Sequence, residues 1–318
     1  MSKSAAESSQ FQSMISDMND SDGQRPAMPS NSTNERLELA ADEITAVHSL
    51  AAASARILEV AGDPRSSADD LAAVIDPAMT ARLLRLANSA HFGRRKRISV
   101  VHDAVLVLGF AKVRAAAMSS CIVQGLAGAR AGYDAQHFWF FSVVVGQLTE
   151  LVASGYRRHR SEAFTAGLLH GLGRMALAQF RADDLEEAKR LAEAEKLALP
   201  EAEDRLLGFN DAALGGAIAS RWQFPDSLVG AIANHHLDPR DHEDPASLAA
   251  DVARARQFAR AYGLSDGLEQ RQRRDPDPEW LTAPLSNMLA LGGKMPGLRD
   301  RATTFVEQAL GVEADEAA

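Results

Sequence analysis

Three histidines and one aspartate carry the chemistry most worth weighing: His170, His235, His236 and Asp251. Imidazole nitrogen and carboxylate oxygen are ligands for Zn, Mn or Fe. Side chains on neighbouring helices can assemble such a site inside a bundle. His170 falls in an apolar run, Phe164 to Leu177, that reads as the middle of a helix. His235-His236 end a second helix, and Asp251 lies in a third, Ala246 to Ala259. A structural reading stands beside the metal one. In it, His170 is a core histidine donating to a backbone carbonyl. His235-His236 then sit at a helix C-terminus, where the dipole favours an imidazolium. Spacing alone favours the structural reading.

Two basic clusters are the next candidates. Arg94-Arg95-Lys96-Arg97 and Arg157-Arg158, the latter in Tyr156 to Arg160, fall in expected loops. Each could touch phosphate in nucleic acid or a nucleotide messenger. The plainer reading is a solvated loop balancing local acid, and Tyr156 alone is thin support for base stacking. The aromatic run His137 to Phe141 places Phe138, Phe141, Val145 and Leu148 on one side of a helix, which suits core packing. Cys121, the only cysteine, lies in an apolar helical run and reads as a small buried hydrophobe rather than a reactive thiol. It leaves no intrachain disulfide and no cysteine-rich zinc site.

These groups need a scaffold. The 318 residues are 46% apolar with 6% aromatics, so an alanine- and leucine-rich core is best built from helices. Net charge is −9, which disfavours non-specific nucleic-acid binding by the whole chain. No leader is expected, and the most apolar segment, Phe138 to Val152, is too short to span a bilayer and is broken by Gln147 and Glu150. A cytoplasmic protein without membrane insertion is the expectation.

Residues 1–33 read as a disordered tail, 34–263 as a helical domain, and 264–318 as a charged linker and C-terminal helical extension. Within the domain, Leu37 to Val60 is one long helix, and Ser67 caps the next. Pro77 opens a helix with the stripe Met79, Leu83, Leu86 and Ala87. Ser99 and His102-Asp103 open another, ending at Gly109. Helices follow over 110–127, 134–155, 161–180, 184–198, 201–207, 210–222, 226–235 and 245–262. A helical segment over 298–310 closes the chain. A single all-α domain is the expected fold.

In order, several landmarks resemble the HDOD family, the bacterial HD-related output domain. They are Ile75-Asp76-Pro77 running to Asn88-Ser89-Ala90; Ala104-Val105 to Leu108-Gly109 with Val113-Arg114; Phe164 to Gly173 with Gly167-Leu168-Leu169-His170; Gly208 to Asp211, Gly215-Gly216, Arg221-Trp222 and Phe224-Pro225; and Ile232 to His236. They cover about residues 40 to 260, and no single motif decides. The family is related in fold to HD metal phosphohydrolases and is regarded as non-catalytic. The resemblance therefore implies a regulatory signalling module acting through contacts with proteins in trans, of receiver, kinase or cyclic-di-GMP-related type, or with a signalling nucleotide.

The same resemblance shows what has gone. Where an active HD site reads His-Asp, this chain has His170-Gly171. An early histidine falls at Phe141 and a later one at Asp211. His235 and His236 survive, and Asp251 stands near a late aspartate position. The Gly-Tyr-Pro extension of the HD-GYP group is missing after His236. The expectation is no resident cofactor, with weak binding of a single divalent metal left open. The alternative is a residual metal-dependent phosphohydrolase acting on a nucleotide or cyclic dinucleotide, with Asp211 replacing a lost imidazole.

Overall fold

The computed structural model describes residues 33–47, 56–57, 59–60, 63, 65–75, 77–89, 98–125, 134–155, 160–268 and 294–310. Among them every regular element is helical. The tail, Asp76, both basic clusters and the Cys121 side chain lie outside this set.

Local chemistry starts the first helices where the sequence marks them. α1 is Thr33–Val47 and α2 is Ala68–Val74. Ser67 caps α2 through a reciprocal pair: its hydroxyl accepts from Asp70 N–H, and the Asp70 carboxylate accepts from Ser67 N–H at 2.8 Å. α3, Pro77–Ala87, starts on the proline and buries Met79, Leu83, Leu86 and Ala87. Asn88 then fastens the returning chain. Its amide donates to Ile98 O at 2.8 Å and its carbonyl accepts from Ile98 N at 2.8 Å. Ser89 closes the turn with its N–H on Leu86 O.

α4, Val101–Leu108, has His102 and Asp103 in its first turn as expected, but its cap position is Val100 without a side-chain bond, so Ser99 does not cap it. Gly109 follows with φ +86°, a backbone state that favours glycine, and turns the chain into α5, Phe110–Gly125. α6 is Ala135–Gly155 and α7 is Arg160–Leu169. Phe138, Phe141, Val145 and Leu148 on α6 are buried as their spacing predicts. α7 is buried on nearly every side and packs against α5, α6 and the later helices Asp226–Ala233 and Leu248–Ala261. Its approach to α6 is close: a Cβ on Gly167 would lie 2.7 Å from Gly146 Cα.

The expected helix over 161–180 is two helices. α7 stops at Leu169 and α8 spans Leu172–Phe180. The cause is local. His170 Nδ1 donates to Gly167 O at 2.7 Å, taking the carbonyl that a continuing helix would offer to Gly171 N–H. Gly171 adopts φ −84°, ψ 15° and breaks the axis. His170 thus stands at a corner, not mid-helix.

α9 is Ala182–Glu195, α10 Leu199–Leu207, α11 Asp211–Arg221, α12 Asp226–Ala233 and α13 Leu248–Ala261. Arg221 ties α11 to α1 through Asp42 and Glu38, both at 2.7 Å. Trp222 ends α11 with its ring 6.1 Å from Phe224, and the Pro225 carbonyl accepts the N–H groups of Leu228 and Val229 as α12 begins. α14, Lys294–Phe305, and the π-helical turn Val306–Leu310 bury Leu298, Ala302, Phe305 and Leu310 in the same core, with Phe305 edge-on to Phe164.

The tightest crossing joins α8 to α11. A Cβ on Gly173 would lie 1.8 Å from Asp211 O and 2.5 Å from Gly215 N. Both neighbours are backbone, so the helices would have to separate. Gly230 on α12 has nothing within 4 Å of its Cβ position. In urea denaturation, Gly173→Ala is expected to lose about 3 kcal/mol or more through overpacking. Gly230→Ala is expected to gain about 0.5–1 kcal/mol from reduced unfolded-state entropy and better helix propensity. Equal effects from the two substitutions would refute this account of the crossing.

Candidate functional site

Because Gly173 lets α8 lie on the first residue of α11, the next side chain, Arg174, reaches Asp211. Its Nη2 donates to Asp211 Oδ1 at 2.7 Å, and its Nη1 donates to Glu203 Oε1 on α10. Glu203 Oε2 in turn accepts Asp211 N–H at 2.9 Å. All three side chains are at most 2% exposed. A buried charge survives only when paired and hydrogen-bonded, and here one guanidinium serves two carboxylates.

The turn after α12 brings the histidines. α12 ends at Ala233, so His235 and His236 lie just beyond it. His236 Nε2 donates to Asp211 Oδ1 at 2.7 Å. His235 Nε2 stands 3.8 Å from Asp211 Oδ2. His235 Nδ1 donates to Ile232 O at 2.8 Å, repeating the bond His170 makes to Gly167 O. A carbonyl only accepts, so Nδ1 carries the proton in both rings and Nε2 carries the lone pair. The His170 and His235 rings meet edge to face at 5.0 Å, and Phe141 closes over His170 at 5.7 Å.

Burial sets the protonation. It lowers His170 to about 3, with the Arg256 charge on α13 adding to the effect. Burial and then the charge of His236 hold His235 well below its usual value. Burial brings His236 to about 4, although Asp211 opposes it. The expected imidazolium at the helix end is therefore a neutral ring: loss of water outweighs the dipole. Burial would raise Asp211, but Arg174 and then His236 outweigh it and keep the carboxyl well below the usual range. Glu203 goes the other way, pushed by burial and by the Asp211 charge to about 8 against the pull of Arg174.

Among the described residues, Asp211, His235 and His236 form a donor cluster, with ligand atoms within 4.8 Å of one another. Asp251 is not part of it. It lies in the first turn of α13, where its Oδ1 accepts from Arg254 at 3.0 Å. A metal ion fits this cluster poorly. Asp211 Oδ1 already accepts two bonds, one from a permanent cation. His236 Nε2, the atom facing the carboxylate, carries a proton. No bridging carboxylate stands at position 171, and one would have to displace the Phe138 ring, because a Cβ there would lie 2.7 Å from Phe138 Cζ. Among the described residues the cluster thus lacks the second carboxylate that a dinuclear centre would need.

Sequence reasoning found the histidines and Asp211 but missed Arg174 and Glu203. Arg174 left a faint signal, as the one cation in the apolar run Phe164 to Leu177. Glu203 left none, because it sits among the charges of Glu201 to Arg205 and looks solvated.

These protonation states set a pH dependence. Below the unfolded histidine value of about 6.5 the unfolded chain takes up protons that the three buried rings refuse, so stability falls as pH falls. Glu203 acts oppositely between its unfolded and folded values, binding its proton more tightly when native. Near pH 5 the net uptake on unfolding is about two protons, and chelator-treated protein is expected to lose about 2–3 kcal/mol per pH unit. Urea denaturation between pH 7 and 4.8 measures this. A flat profile would contradict neutral buried histidines.

Comparison with known proteins places the chain. A curated but uncharacterized protein of Treponema pallidum is 26% identical over 218 residues, covering 67% of this chain and 42% of its own length, so this chain spans less than half of that relative. A solved structure from Shewanella amazonensis, described as a "putative phosphohydrolase", matches with TM-score 0.64 at 24% identity, covering 88% of this chain and 98% of its own. One from Marinobacter aquaeolei, described as a "putative signal transduction protein", matches with TM-score 0.67 at 21% identity, covering 85% and 66%. At these identities the two structures share the fold. The model of the HDOD domain matches residues 47–237, more than half of the sequence, and the chain belongs to the HDOD family.

Proposed function

We propose that this protein is a non-catalytic regulatory module that works by contact with signalling proteins. One observation carries the reading: the carboxylate nearest the histidines, Asp211, is neutralised by the buried guanidinium of Arg174. Metal-assisted hydrolysis needs an ion with an open coordination position that can activate water. A guanidinium has no such position and does not deprotonate in the working range of proteins. The residues of the cluster then act as a polar brace between α8, α10, α11 and the turn after α12. The name of the Marinobacter aquaeolei protein agrees with a signalling role. Receiver, kinase and cyclic-di-GMP-related proteins are the partners the family suggests. No helix among the described residues is long and apolar enough to cross a membrane.

The rival reading is a phosphohydrolase holding one metal ion on Asp211, His235 and His236. The proximity of those three ligand atoms favours it, as does the name of the Shewanella amazonensis protein. Elemental mass spectrometry on protein purified without chelator or nickel separates the two. Less than about a tenth of an equivalent of Mn, Fe or Zn is expected, and chelator should leave Tm within about 1 °C. Nucleotides and cyclic dinucleotides should stay intact on long incubation with added Mn2+. Turnover that disappears in His235→Ala would overturn the regulatory reading.

A further inference from the structure

We infer that Arg174 is a resident cation in the place of a metal ion, and that its guanidinium is what closes the Asp211–His235–His236 donor set to divalent metals. The inference goes beyond the regulatory reading, since a chain can lack turnover and still hold an ion.

Three features of the cluster support it. The first is position. Arg174 Nη2 lies 2.7 Å from Asp211 Oδ1, the oxygen that His236 Nε2 also meets at 2.7 Å. An ion bridging Asp211 and His236 would need that oxygen at about 2.0–2.2 Å, and a guanidinium bonded there blocks the approach. The second is charge. Asp211 and Glu203 are buried together, and both pair with the permanently charged Arg174, while the imidazoles that also face Asp211 are neutral. Adding a dication beside that guanidinium and the buried Arg256 would set like charges together in a medium that screens them weakly. The third is the donors. His235 Nε2 already presents a lone pair, held by the Nδ1–H bond to Ile232 O, the arrangement by which a backbone carbonyl orients an imidazole ligand. His236 needs only to move its proton to Nδ1 for its own Nε2 to ligate. The set is thus well disposed for a metal in every respect except the cation already there.

Truncating Arg174 removes that cation and leaves the buried Asp211 carboxylate, with the Glu203 carboxyl behind it, beside two imidazoles. A divalent ion is then the most direct neutraliser, and the arginine side chain's own space becomes available to it. Wild type, Arg174→Ala and Arg174→Gln are stripped with chelator and titrated with Zn2+ and with Co2+. Bound metal after desalting, the Co2+ visible spectrum and Tm are read. Wild type is expected to keep less than about a tenth of an equivalent with no shift in Tm, whereas Arg174→Ala keeps about one equivalent and gains Tm on metal addition. Adding Asp211→Asn to Arg174→Ala should abolish the uptake.

Two results would overturn the inference: about one equivalent in wild type that is lost in His235→Ala, or a folded Arg174 variant that takes up no metal. If Arg174→Ala unfolds alone, it is refolded from urea with Zn2+, and recovery of its helical circular dichroism supports the inference. Failure of both Arg174 variants to fold with metal present counts against it, because a stand-in cation must be replaceable. Metal in wild type without turnover would sink this inference and leave the regulatory reading intact. Turnover would sink that reading.

Discussion

The buried Arg174 guanidinium is the charge on which the centre of the fold depends. It is 1% exposed and reaches carboxylates on two other helices. Taking such a group out of water costs several kcal/mol, and breaking a buried pair by removing one partner costs about 3–5 kcal/mol, because the remaining charge is stranded. The pairing therefore constrains position more than it adds stability. α8, α10 and α11 must meet at one point, and the turn bearing His235 and His236 must close over Asp211. Gly173 makes the meeting feasible: with any side chain there, α8 would stand off from α11 and Arg174 would fall short of Asp211.

Around this point the core is assembled from small residues. Gly167 against Gly146, and Gly215 against Gly173, bring backbones together where larger side chains would hold them apart. Alanines such as Ala163, Ala166, Ala219, Ala231 and Ala255 are almost fully buried. Close helices leave few voids, and a dry interior strengthens each electrostatic contact inside it. That is why three imidazoles remain neutral beside a carboxylate. It is also why the Asp211–Glu203 pair divides as it does, with the charge kept on Asp211 next to Arg174 and the proton favoured on Glu203.

Much of the scaffold was legible from sequence, because local rules decide it. The Ser67–Asp70 box, the start at Pro77, the stripe from Met79 to Ala87 and the buried side of α6 follow from capping and periodicity. The break at His170-Gly171 was not, since the run Phe164 to Leu177 is apolar on both sides of it and periodicity carries through. What ends α7 is one side-chain bond, His170 Nδ1 to Gly167 O, and such a competitor leaves no pattern. The site shows the same division. Histidines draw notice by type, whereas the partners of Asp211 are an arginine and a glutamate, residue types that usually lie in solvent. Their burial is a tertiary fact, set by which helices cross.

The break and the network belong to one design. Ending α7 at Leu169 turns α8 away and aims Arg174 at α11, while the His170 ring stays behind to meet His235. At this corner Gly171 lies under the Phe138 ring, and the absence of a side chain lets that ring pack down. An aspartate at 171 would displace Phe138 and add a third carboxylate to a cluster with one guanidinium bonded at its centre. The aromatic cover, the glycine and the arginine are therefore mutually dependent, and a single substitution at 171 would not rebuild a metal centre. Restoring a dinuclear centre, as distinct from the single-ion site that removing Arg174 opens, requires at least the removal of Arg174, a carboxylate at 171 and a smaller residue at 138, three changes that each leave a buried charge or a void if made alone.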